Sequence, residues 1–216
     1  MGRIEDPDLC AKCGGLCCLK GPGKYSPTEF SNGKTMSVQK INAAFDEGRA
    51  IMSTTFVSVE GSQAAPLFTL TARGEKRDAL SLFHDAARCA HLVNDHCEFS
   101  LEERPYECAM LVPAEDASKC GLPDNQFMEI LWVPHQQVLR ELIEMRTGRS
   151  WRKELVEQVL SRKTDDSYSK GAYDFLTSIG LVKDDEEADE TIAEWQRSLQ
   201  RPQSGGLPRS ENARIT

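Results

Sequence analysis

The placement of eight cysteines constrains this 216-residue chain more than any other feature. Cys10, Cys13, Cys17 and Cys18 fall within nine residues near the start. Cys89, Cys97 and Cys108 share one twenty-residue stretch, Cys120 follows, and none occurs in the last 96 residues. Met1 to Asp6 contain no apolar run, so no secretory signal is expected, and Asp6 breaks the myristoylation pattern. Nowhere do about 18 apolar residues run together, so no spanning helix is expected. The compartment expected from these features is a reducing cytoplasm, where clustered thiols read as metal ligands rather than as a disulfide framework.

Composition narrows the classes further. With 39% hydrophobic and 28% charged residues the chain can build a core. Lys plus Arg is 26 against 34 Asp plus Glu, a net charge of −8. That balance argues against holding nucleic acid by its phosphates and against an electrostatic membrane anchor. The expected partners are a metal ion and, through the C-terminal helices, a protein, with no nucleic acid and no membrane.

Gly14, Gly15, Gly21, Pro22, Gly23 and Pro27 punctuate the first 27 residues too densely for a regular element. Ser26-Pro27-Thr28-Glu29 reads as a short helical start. Val38, Ile41, Ala44 and Phe45 predict a helix from about Ser37 to Gly48. Ile51 to Val59 and Leu67 to Thr71 predict a hairpin, and Ala79 to Ala87 one or two helical turns. Asn94-Asp95 predicts a tight turn across which Cys89 and Cys97 face one another. Ser100 to Glu103 has the capping-box form, and Pro105 ends that turn just before Cys108. From Pro134, expected at a first helical turn, stripes at Val138, Leu139, Leu142 and Ile143, then Trp151 to Leu160, predict helices broken at Gly148. Two further helices are expected at Tyr168 to Leu181 and around Ile192, Trp195 and Leu199. Together these predict an α+β, helix-dominated fold: an irregular cysteine-rich metal-binding domain with a small β-hairpin over 1–125, C-terminal helices over 126–200 and a disordered tail over 201–216.

Thiolate sulfur is a soft ligand suited to zinc, copper(I) and iron–sulfur clusters. Cys10 and Cys13, two residues apart, can present both sulfurs to one ion, whereas ten residues separate Cys97 from Cys108, so only the fold can bring those together. Neighbouring side chains diverge, so Cys17 and Cys18 are expected to serve two metals, two irons of one cluster, or one metal with the other thiol in the core. The count permits two zinc sites, one iron–sulfur cluster with spare thiols, or one zinc with structural cysteines. His84, His91 and His96 flank the second block; the simpler reading places each at the surface or behind the ligands, with substitution for one cysteine as the alternative. A thiol nucleophile or a Cys10–Cys13 redox pair lacks the surrounding pattern such sites need, and the glycines from 14 to 23 lack the ending of a phosphate loop.

Cys10-Ala-Lys-Cys13-Gly-Gly-Leu-Cys17-Cys18, followed by Cys89-Ala-His-Leu, Cys97-Glu-Phe, Glu103-Arg104-Pro105 and Cys108, resembles the YkgJ-type cysteine-cluster family, described as zinc- or iron-chelating domains. The resemblance covers about residues 10 to 123. It departs in having three residues between Cys13 and Cys17 and in placing Ala109 where the family commonly has arginine. The resemblance implies metal binding by Cys10, Cys13, Cys17, Cys18, Cys89, Cys97 and Cys108, with Cys120, near the late family cysteine, as the eighth candidate. The implied cofactor is zinc or iron, an iron–sulfur cluster included. Flagellin lysine methylases carry a similar cluster, so protein lysine methyl transfer is the alternative activity, although no Gly-rich strand–turn–helix for S-adenosylmethionine is found. A metal-stabilised protein-interaction module is the third reading.

Overall fold

The computed structural model describes residues 14–57, 65–82, 88–100, 102–113, 120–121, 128–161, 176–178 and 180. The elements in chain order are α1 (Leu16–Lys20), a 3-10 turn (Pro27–Phe30), β1 (Ser31–Asn32), β2 (Thr35–Met36), α2 (Val38–Asp46), β3 (Ala50–Val57) and β4 (Ala65–Ala72). There follow β5 (Leu92–Val93), β6 (His96–Cys97), α3 (Tyr106–Ala109), β7 (Val112–Pro113), β8 (Cys120–Gly121), a 3-10 segment (Met128–His135), α4 (Gln136–Thr147) and α5 (Trp151–Ser161). The fold is therefore a mixture of helix and small antiparallel hairpins. The expected tail over 201–216, the expected helix around Ile192 and nearly all of the one expected at Tyr168 to Leu181 lie outside the described residues.

The long hairpin of β3 and β4 organises the rest. Its register pairs Ala50 with Ala72 and Val57 with Ala65. Every residue of β4 is buried, so both faces are covered and the strand reads as a nearly unbroken apolar run. Ala50, Met52, Phe68, Leu70 and Ala72 share the main core with Ile41, Ala44 and Phe45 of α2. Ala65 and Leu67 form a smaller cluster with Val133.

Both edges of the hairpin are occupied. On the β3 side the Met52 N–H donates to Ala79 O (2.8 Å) and the Thr54 N–H to Leu82 O (3.0 Å). Ala79 and Leu80 form a turn and Leu82 an irregular link instead of the expected helix, because these residues spend carbonyls on a strand edge; 83–87 lie outside the described residues. On the β4 side the Tyr25 N–H donates to Leu70 O and the Ala72 N–H to Gly23 O, both at 2.9 Å. The next backbone groups along that edge meet a side chain. The Phe68 N–H donates to Gln136 Oε1 (2.8 Å), and Gln136 Nε2 donates to Phe68 O (2.8 Å) and Trp132 O (3.0 Å). Gln136 thus satisfies one residue of the β4 edge as a strand would.

Local signals account for the helix ends. Ser26 and Glu29 form a reciprocal capping box around the Pro27 turn. Ser37 caps α2 by accepting from the Lys40 N–H, and Gly148, at φ 68°, ends α4. Pro134 lies inside the 3-10 segment rather than in the first turn of α4. Lacking an N–H, it fits the irregular approach, and the α-helical ladder starts two residues later. Leu139, Leu142 and Ile143 of α4 and Trp151 and Leu155 of α5 enter the same core as Cys18, Tyr25 and the hairpin. Trp132, fully buried, donates its indole N–H to Tyr25 O (2.9 Å).

Replacing Gln136 with Leu leaves the Phe68 N–H and C=O buried without partners, an expected loss of about 2–4 kcal/mol. Urea unfolding should show it, while Gln137→Leu, on the exposed face of α4 where the amide bonds the exposed Glu141, should change stability by less than about 0.5 kcal/mol.

Candidate functional site

Three stretches of chain deliver cysteines to the end of β4. Gly23–Tyr25, paired on the β4 edge, leads back into α1, which carries Cys17 and Cys18. Beyond β4 the backbone runs into a bridge between Gly74 and Cys89, flanked by Glu75 N–H to Arg88 O and Ala90 N–H to Arg73 O, both 2.8 Å. The Cys89 N–H then donates to Cys18 O (2.8 Å). From the third stretch the Glu107 N–H donates to Lys24 O (3.1 Å), and Glu107 Oε2 accepts from the Lys24 N–H (2.6 Å). This double bond fixes α3, and with it Cys108.

Two glycines make the close approach possible. Gly15 caps α1 at φ 71°, and a Cβ there would overlap Leu92 Cδ1 and lie 3.3 Å from Asp95 O. At Gly23 a Cβ would overlap Cys108 Sγ and lie 3.4 Å from Cys108 N. Cys108 therefore seats its sulfur in the space a side chain would fill.

The Asn94-Asp95 turn is present, both residues at positive φ (48° and 64°), the geometry of a two-residue hairpin. Its register differs from expectation: Cys97 pairs with Leu92, not Cys89. Cys89 sits three residues before the hairpin pair because it belongs to the extension of β4. The Cys97 charge still reaches Cys18, Cys89 and Cys108.

Cys17, Cys18, Cys89, Cys97 and Cys108 are all free thiols. Cys17 and Cys18 sulfurs lie 3.9 Å apart, and the buried Cys18 and Cys89 share one core cluster. The expected divergence of Cys17 and Cys18 assumed extended backbone; on the turn of α1 their sulfurs stay neighbours. Two sulfurs on one tetrahedral zinc stand about 3.8 Å apart, so that pair has a ligand-like separation. Among the described residues, no group of three or more His, Cys, Asp or Glu is arranged to hold a metal ion. Cys10, Cys13 and His84 lie outside the described residues; Cys120 pairs its backbone with Pro113, and its side chain is likewise outside them.

The thiols perturb one another. The hydrogen bond with Cys18, followed by burial, pushes Cys17 well above the ordinary thiol range. The Cys17 hydrogen bond draws Cys18 down, but the Cys89 hydrogen bond, burial and the charges of Cys89 and Cys97 outweigh it and push Cys18 up to about 12. Cys89, receiving the Cys18 hydrogen bond, is lowered. Burial of its sulfur, then the charges of Cys18, Cys17 and Cys97, raises Cys108.

The two described histidines of this block direct their rings to other partners. His91 is buried, with Nδ1 2.5 Å from Glu98 Oε1, Nε2 3.2 Å from Arg49 O, and its ring 4.1 Å from that of Phe99. Both ring nitrogens are engaged, which suits a packing role. His96 is exposed, with Nδ1 2.9 Å from Asn94 O. Arg104 donates to Phe99 O (3.3 Å). Sequence reasoning missed Gly23, Lys24 and Glu107; the crowded glycines before Tyr25 were the available signal.

Among the described residues no helix is long and apolar enough to cross a membrane. In comparisons with known proteins, no family model, no curated protein and no solved structure matches the chain.

Gly23→Ala is expected to cost about 1–3 kcal/mol by overpacking against Cys108, measured by urea unfolding, and to speed alkylation of Cys108. The chelator-treated chain should also lose stability as pH rises above about 9, the ordinary thiol value. Folded Cys17, Cys18 and Cys108 keep protons that unfolded thiols give up, so their contribution is full below that pH and lost above it. Cys89, lowered, acts in the opposite sense but is one thiol against three. A urea midpoint that does not fall between pH 9 and 11, or that falls as steeply in Cys108→Ser, would refute this assignment.

Proposed function

We propose that the chain is a metal-binding protein that chelates zinc or iron, an iron–sulfur cluster included, through clustered cysteine thiolates. The observation that supports this is the assembly of five free thiols from three separate stretches within electrostatic reach of one another. Without a positive ion, burial and the neighbouring thiols together oppose ionising several of them. A bound metal reverses that balance, since a coordinating thiol is deprotonated outright. Cys17, Cys18, Cys89, Cys97 and Cys108 would supply ligands from the described part, and Cys10 and Cys13 would join them, as the resemblance to the YkgJ-type family implies, with Cys120 as the eighth candidate. When bound, the metal would tie α1 to the β5–β6 hairpin and to α3, so binding free energy would also be folding free energy. The site would then be structural in the first instance.

The test is metal analysis with an absorption spectrum of anaerobically purified protein. Zinc in a colourless protein or iron with visible charge-transfer bands is the expected result, and chelation should lower the melting temperature. A reduced, fully folded chain that takes up neither zinc nor iron would overturn the proposal.

A further inference from the structure

The metal reading leaves open what these sulfurs do when no ion holds them, and the backbone around two of them is specific. From bond lengths, a 2.8 Å hydrogen bond from Cys89 N to Cys18 O keeps the two Cα atoms within about 6.7 Å. Disulfides span Cα separations of about 4.4–6.8 Å. Both side chains lie in the same buried cluster, on backbones already at a separation that a disulfide can span. The other close pair is excluded by its chain geometry. Cys17 and Cys18 are consecutive, with Cα atoms about 3.8 Å apart across a trans peptide, below the disulfide range, and α1 would have to unwind to join them. Cys18 and Cys89 keep only 8% and 4% of their surface exposed, which admits a small oxidant and hinders a bulky disulfide.

We infer that Cys18 and Cys89 form a peroxide-oxidisable dithiol that closes to a disulfide linking α1 to the strand extension after β4. One sulfur of the pair attacks a hydroperoxide oxygen as a thiolate. The O–O bond breaks, water or an alcohol leaves, and a sulfenic acid forms. The second sulfur attacks the first, the S–O bond breaks, a second water leaves and the S–S bond forms. Two thiols lose two electrons and two protons, and the hydroperoxide is reduced by the same two electrons. The inference concerns the metal-free thiols and does not rest on metal binding; if both hold, closing the bond removes two thiolate ligands.

The test treats the full-length reduced chain, in chelator, with one equivalent of hydrogen peroxide. Remaining thiols are then alkylated and linked peptides mapped by mass spectrometry. A dominant Cys18–Cys89 linkage, lost in Cys18→Ser and in Cys89→Ser, is expected, together with scrambled linkages when the same oxidation is run in urea. A dominant Cys17–Cys18 or Cys97–Cys108 linkage, a scrambled pattern without urea, or sulfinic acid without any linkage overturns it. Metal content measured before chelator is added reports separately on the metal reading, so either can fail alone.

Discussion

The outer edge of β4 is the constraint from which the rest of the architecture follows. A strand buried on both faces must still satisfy the backbone groups directed away from β3, and water is not available to do so. The chain meets that demand with Gly23–Tyr25 at one end of the edge and Gln136 at the other. The first contact draws in α1 with Cys17 and Cys18. The second fixes the start of α4, so that one strand edge sets the position of both the sulfur group and the helices. Trp132 joins the two by donating to Tyr25 O while its own carbonyl accepts from Gln136.

The sulfur group is accordingly held by main chain rather than by its own chemistry. Cys18 and Cys89 are joined by a backbone hydrogen bond, and Cys108 hangs from the Lys24–Glu107 clamp. Lys24 is tied further by an ion pair with Glu129 at 2.5 Å. Such a scaffold keeps the thiols buried and adjacent at the expense of their ionisation, with burial the larger cause for Cys108 and the neighbouring thiol for Cys17.

Much of this was legible in the sequence where side-chain pattern and backbone agree. The β3–β4 hairpin, α2, the short helical start at Ser26, the Asn94-Asp95 turn and the helices on either side of Gly148 all follow from periodicity or from a residue with one strong local preference. What the pattern concealed depends on backbone groups that carry no periodicity. Nothing in Gly23-Lys24-Tyr25 marks it as an edge partner, and nothing in Ala79-Leu80-Ser81-Leu82 distinguishes an edge segment from a short helix. The two-residue length of the Asn94-Asp95 turn determines the pairing of Cys97 with Leu92, and cysteine spacing carries no information about it. The convergence of Cys18, Cys89 and Cys108 was foreseeable only as a requirement of metal chemistry; its physical route, through the end of β4, was not.

Gln136 has a consequence for which side chain can stand at its position. A peptide edge presents one donor and one acceptor side by side, and among the twenty side chains only the carboxamides offer the matching pair. Asparagine is one methylene too short to span from α4 to Phe68 without moving the helix, and glutamate replaces the needed donor with a repelled oxygen. The position is therefore nearly single-valued in chemical terms. In this chain the glutamine four residues after Trp132 is thus the chemical complement of the β4 edge, and it makes that edge independent of the cysteines.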